Sequence, residues 1–139
     1  KKSSDFSRIQ EAKERKMNGS RKRANDFLKE YFKSTEEEPY MLSVLEETDG
    51  LKKELGGVLP AVLDISDGIR GRLMAIEAMR RMMDSVSAVL PETETRVMHG
   101  IYRDGLSADE LAADLNCERS AVYRVKNRLL DRVGRLLGA

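Results

Sequence analysis

The sequence predicts an all-α protein in which amphipathic helices precede a C-terminal helix-turn-helix unit. Three observations lead there. Ala, Glu, Leu, Arg, Lys and Met dominate the 139 residues, a helix-favouring set. Runs of β-branched residues are absent. Apolar residues recur at spacings of three and four through most of the chain.

Residues 1–20 are polar, with a weak helical spacing of Phe6, Ile9 and Ala12. The chain opens on Lys1, and its first methionine, Met17, is a candidate native start. Asn18-Gly19-Ser20 interrupts the pattern, and Ser20 can cap the next helix. From Arg21 to Lys33, the residues Ala24, Phe27, Leu28 and Tyr31 share one face, which predicts an amphipathic helix. Thr35-Glu36-Glu37-Glu38 has the form of a capping box and predicts a new helix start. A short helix then holds Tyr40, Met41, Val44 and Leu45. Asp49-Gly50 and Gly56-Gly57 punctuate the chain, and Pro60 fits the first turn of the next helix.

From Ser66 to Leu90 runs the longest periodic stretch. Ile69, Leu73, Ile76, Met79, Met83, Val86 and Leu90 step by 4, 3, 3, 4, 3 and 4, close to a heptad seam. Such a seam serves either as the core face of a helix within one chain or as a pairing surface between two. Gly68 and Gly71 weaken its start.

The stretch "LSADELAADLNCERSAVYRVKN", Leu106 to Asn127, is the most informative. Ser107-Ala108-Asp109-Glu110 forms a capping box that opens a helix from Ala108 to Leu115. Leu111 and Leu115 point inward, and Ala112 is small where a neighbouring helix must approach. Asn116 tolerates left-handed backbone and ends the helix. Cys117 then reads as a small apolar plug. A second helix over 118–131 buries Val122, Val125 and Leu129. This arrangement is the helix-turn-helix pattern. The opposite face of the second helix carries Arg119, Ser120, Tyr123, Arg124 and Asn127, residue types that read base edges. Lys126, Arg128, Arg132 and Arg135 are candidates to hold phosphates.

Residues 90–133 resemble region 4 of bacterial sigma factors. The resemblance rests on Leu90-Pro91-Glu92 opening a helix, Arg96-Val97-Met98 and Tyr102 within it, Gly105-Leu106-Ser107 before the helix-turn-helix, and the tail Arg128-Leu129-Leu130-Asp131-Arg132-Val133. It covers about a third of the chain. It implies promoter-DNA reading by the positions Arg119, Ser120, Tyr123 and Arg124. Asn116-Cys117-Glu118 stands where that family usually has Gly-Val/Ile-Ser/Thr. Nothing in residues 1–89 resembles the sigma segment that binds the −10 element, so a complete sigma factor is not expected. The layout is similar to that of late-gene transcription regulators of phages and prophages of Gram-positive bacteria.

Charge is distributed unevenly behind a net +1. Residues 1–33 carry 11 Lys/Arg against 5 Asp/Glu, residues 34–95 carry 6 against 13, and residues 96–139 carry 8 against 6. Basic ends can meet nucleic acid, although a basic arm is also often plain solvated chain. One Cys forms no internal disulfide, and a reducing cytoplasm is expected. No apolar run reaches transmembrane length and no secretory core is present. The sole His, His99, lacks a neighbouring nucleophile in sequence and reads as a packing residue. Asp64 and Asp67, Glu36–Glu38, Gly56-Gly57 and the Met74, Met79, Met82, Met83 group read as solvated, turn or core residues.

The expected organisation is a basic segment over 1–20, a helical bracing or oligomerisation region over 21–89, and a DNA-binding domain over 90–139. The expected function is sequence-specific transcriptional regulation of phage or prophage genes. The site set is Arg119, Ser120, Tyr123, Arg124, Lys126, Asn127 and Arg128, with no catalytic residue, metal or cofactor. Expected partners are double-stranded DNA, RNA polymerase and a second copy paired through residues 66–90, with no membrane. The rival expectations are a ring-forming phage DNA-packaging subunit resembling a small terminase, and a sigma-like module that binds RNA polymerase. An enzyme is not expected.

Overall fold

The computed structural model describes residues 19–54 and 60–138. The Phe6, Ile9 and Ala12 spacing, Met17, and the Gly56-Gly57 break lie outside the described residues. All the described secondary structure is helical: α1 Gly19–Glu54, α2 Pro60–Ser87, α3 Glu92–Met98, a π-helical turn His99–Arg103, α4 Ala108–Asp114 and α5 Arg119–Gly138. Among the described residues no helix is long and apolar enough to cross a membrane.

The chain divides into two compact units. One lies within residues 30–85, and the other combines the described residues 19–29 with 86–138. Residues 19–29 therefore belong with the C-terminal helices, although 56 residues separate the two segments in sequence.

In the 30–85 unit, α1 and α2 form an antiparallel pair. Arg80 Nη2 lies 2.8 Å from Glu38 Oε1, and Arg70 Nη2 lies 3.0 Å from Asp49 Oδ1, so α1 ascends as α2 descends. Ser34, Met41 and Thr48 are buried at intervals of seven on α1. On α2, Ser66, Ile76 and Met83 are buried, and Ile69, Leu73 and Met79 are half-buried. Seam side chains of this size contribute about 1.5–3 kcal/mol each when fully buried. The buried hydroxyls of Ser34 and Thr48 donate to Glu30 Oε1 and the Val44 carbonyl, at 3.0 and 2.7 Å. Ser66 Oγ is buried without a hydrogen-bond partner among the described residues.

Three expectations are corrected here. Ser20 does not cap α1, because the helix already includes Gly19. No helix begins at Thr35: α1 runs unbroken past it and through Pro39. Nor does Asp49-Gly50 break the chain, since the same helix continues to Glu54. The Thr35 hydroxyl donates backward to the Tyr31 and Phe32 carbonyls, at 3.0 and 3.2 Å, and so serves the helix interior. Pro39 cannot donate to the preceding turn, and it lies on the exposed side of the helix. The seam of α2 is buried or half-buried within the chain itself. That burial removes the reason for expecting a second copy to cover residues 66–90.

The other unit is built on α3, α4 and α5. Val97, Leu111, Ala112, Val122 and Val125 form its core, with Ile101, Leu106, Ala108 and Leu115 packed against it. Pro91 occupies the N-cap of α3 and Glu92 and Glu94 its first turn, the arrangement that Leu90-Pro91-Glu92 predicts. The π-helical turn then brings the helix to its end. Gly100 is buried there, and a Cβ on it would sit 2.7 Å from Leu111 Cδ1, so a larger residue would require the Leu111 side chain to shift. Gly105 follows at φ 69°, a left-handed conformation that suits glycine. The first turns of α1 complete the unit, with Ala24 and Leu28 fully buried.

Candidate functional site

The site begins at the Ser107 cap. The Ser107 hydroxyl accepts from Glu110 N at 3.1 Å, and Glu110 Oε1 accepts from Ser107 N at 3.2 Å. This reciprocal box fixes where α4 starts. Leu111 and Ala112 are buried on its inner face, and Leu115 is half-buried at its end. Asn116 then adopts φ 53°, and Cys117 N donates to the Ala112 carbonyl at 2.9 Å. The left-handed residue and the backward bond close the helix and turn the chain into α5.

Cys117 is exposed, which corrects its reading as a buried plug. The turn directs it to the rim of a groove of about 380 Å3 whose walls include Val97, Leu115, Val122 and Val125. The second helix starts at Arg119 and reaches Gly138, seven residues beyond the expected end at 131. It continues because Leu129, Leu130 and Val133 keep burying apolar surface.

Burial divides α5 by face. Val122, Leu129 and Val133 are fully buried and Val125 nearly so. Arg119, Ser120, Tyr123, Arg124, Asn127 and Arg128 are exposed, and Lys126 is half-buried. Arg119 and Tyr123 form a local pair. Arg119 Nη2 donates to Tyr123 Oη at 3.2 Å, and the guanidinium carbon lies 5.6 Å from the Tyr123 ring centroid. Arg119 Nε also lies 3.7 Å from Asp109 Oδ1 on α4. These contacts restrict the rotamers of two exposed side chains at the start of α5, so less order is lost when they meet a ligand.

Not all cations of α5 are available. Arg132 Nε and Nη2 donate to the two carboxylate oxygens of Glu94, at 3.0 and 3.2 Å. Arg132 therefore ties α5 to α3, with two of its donors spent on Glu94. Arg135 remains exposed. Farther along, Arg21 of α1 donates from Nε and Nη2 to the carboxylate of Asp131, at 2.7 and 3.1 Å. The bonded guanidinium holds the Asp131 carboxyl below its ordinary range and raises Arg21 in turn. Arg21, Arg124, Asn127, Arg128 and Asp131 line a groove of about 560 Å3.

Tyr102 adds a second tie to α1. Its hydroxyl donates to Asn25 Oδ1 at 2.6 Å, and burial pushes the phenol up to about 12. His99 is half-buried in the π-helical turn, and burial followed by the nearby Arg103 charge lowers its pKa. Among the described residues, no group of three or more His, Cys, Asp or Glu side chains is placed to hold a metal ion.

The sequence did not single out Arg21, Asn25, Glu94 or Asp131. Asp131 offered a signal, as the one acidic residue within the basic α5. Arg21 offered none, because its partner lies 110 residues away. No protein-family model, curated protein or solved structure matches this chain.

Proposed function

We propose that the chain is a sequence-specific DNA-binding transcriptional regulator of phage or prophage genes. In this reading α4, the Asn116 turn and α5 act as a helix-turn-helix of the sigma region 4 type. The N-terminal half of α5 enters the major groove. Arg124 and Asn127 suit bidentate contacts to guanine and adenine, and Ser120 and the Arg119–Tyr123 pair supply adaptable donors and acceptors. Arg128 and Lys126 hold flanking phosphates.

The observation that carries the reading is the division of α5. One face is sealed into the core through Val122, Val125 and Leu129, while the other presents Arg119, Ser120, Tyr123, Arg124 and Asn127 to solvent. A helix whose only task was packing would not need base-reading residue types concentrated there. The Ser107–Glu110 box and the left-handed Asn116 support it further, because they fix the angle at which α5 leaves α4. A second copy is not needed to cover α2, so the proposal does not require pairing through residues 66–90.

The test is Arg124→Ala against two duplexes, one selected from a random library and one scrambled. A bidentate base contact is worth about 1–3 kcal/mol, so the selected duplex should lose that much and the scrambled one much less. No loss on either duplex would refute the assignment.

A further inference from the structure

The exposed face of α5 is not bare along its length, because the first turns of α1 lie against its C-terminal half. Gly134 makes this approach possible. A Cβ at that position would sit 2.8 Å from the Ser20 carbonyl oxygen and closer still to its hydroxyl, so any larger residue would push α1 away. One turn earlier on α5, Arg21 reaches across and grips Asp131 with two bonds. Arg124, Asn127 and Arg128 stand on the same side, and together these five residues line one open groove.

The charges in that groove are three guanidiniums and one carboxylate. Asp131 is the sole acidic residue of α5, and it stands among the cations that the proposed function assigns to DNA. An unpaired carboxylate there would repel a phosphate brought in by Arg128. Arg21 cancels that charge. Two of its donors are spent on Asp131, and its side chain is still 32% exposed at the groove wall.

We propose that the start of α1 and α5 together form a phosphate-binding groove for the DNA backbone flanking the major-groove site, with Arg21 as the positioning residue that neutralises Asp131. This rests on the DNA-binding reading of α5 and extends it to a segment about a hundred residues away in sequence. Arg128 supplies the phosphate contact, and Arg124, whose donors go to a base edge, lines the same groove. Arg21 supplies the wall and removes the opposing charge. The contact is with phosphate, so it adds affinity without sequence preference.

The experiment measures duplex binding by the full chain at about 0.1 M salt, where charge effects are not yet heavily screened. The selected and the scrambled duplex serve as probes. The proteins are the parent, Arg21→Gln, Asp131→Asn, the double variant and Asp49→Asn. The last removes an equally charged, arginine-paired carboxylate from the other unit. Arg21→Gln should weaken both duplexes by about five- to tenfold. The double variant should recover to within about twofold of the parent, since the repelling charge is gone. Asp131→Asn alone should bind more tightly than the parent, and Asp49→Asn should bind as the parent does.

A double variant as weak as Arg21→Gln would overturn the proposal and make Arg21 a purely structural tie. So would Asp131→Asn binding no better than the parent, or Asp49→Asn gaining as much as Asp131→Asn. If the parent binds DNA and Arg21→Gln binds equally well, the groove proposal alone falls. If the parent binds no duplex at all, the DNA reading beneath it falls as well.

Discussion

Arg132 on α5 holds Glu94 on α3 through two parallel hydrogen bonds, and Glu94 is 5% exposed in the fold. A carboxylate so enclosed needs its partner. The pair fixes the distance between the helix that opens the unit and the helix that carries the candidate DNA-reading face.

Arg132→Ala should therefore lower the stability of the chain measurably, because it leaves the enclosed Glu94 carboxylate without its partner. Glu94→Gln should cost less, since it removes the buried charge and keeps one acceptor for Arg132, although it loses the second of the two hydrogen bonds. Urea unfolding of each variant measures this. An Arg132→Ala midpoint equal to the parent's would mean the pair contributes nothing.

Asn116 should be tolerant of glycine and intolerant of alanine. Its φ of 53° places it in the left-handed region, where a Cβ costs about 1–2 kcal/mol unless the side chain compensates. Asn116→Gly should leave the melting temperature within a few degrees of the parent. Asn116→Ala should lower stability by about 1 kcal/mol. Equal stability for both variants would show that the turn does not depend on left-handed backbone.

Tyr102 gives a pH signature. Its phenol is pushed up to about 12 by burial, against an ordinary value near 10. The folded chain thus holds this proton more tightly than the unfolded one. The linked stability is fully present below about pH 10 and is lost as pH rises from there through the folded value. The ultraviolet difference titration between the parent and Tyr102→Phe isolates this group. A midpoint near 12 is expected, with folding lost on the alkaline side. A midpoint at the ordinary tyrosine value would mean that Tyr102 is open to solvent and its bond to Asn25 is not formed.

Much of the C-terminal unit was legible in the sequence, because its signals are local. The Ser107–Glu110 box, the left-handed Asn116 and the Val122, Val125, Leu129 face all depend on neighbours within a few residues. The same kind of signal misled at Thr35. Its sequence fits a cap, yet the preceding carbonyls of Tyr31 and Phe32 were available and the helix continued. Whether a threonine ends a turn or serves its interior depends on packing on both sides, which local sequence does not contain. Cys117 failed for a related reason: the spacing marked it as apolar, but the backbone of the turn decides where it points. Arg21 with Asp131 and Tyr102 with Asn25 were out of reach, since their separations of 110 and 77 residues leave no periodic trace.

Sequence reading by the exposed face of α5 is tested most directly by enrichment of bound duplexes from a random library with the parent protein. The expected result is one recurrent motif, with discrimination of about 1–3 kcal/mol at its strongest positions, that weakens when Arg124 is replaced by alanine. Recovered duplexes indistinguishable from the starting library, from a protein that melts cooperatively, would contradict it.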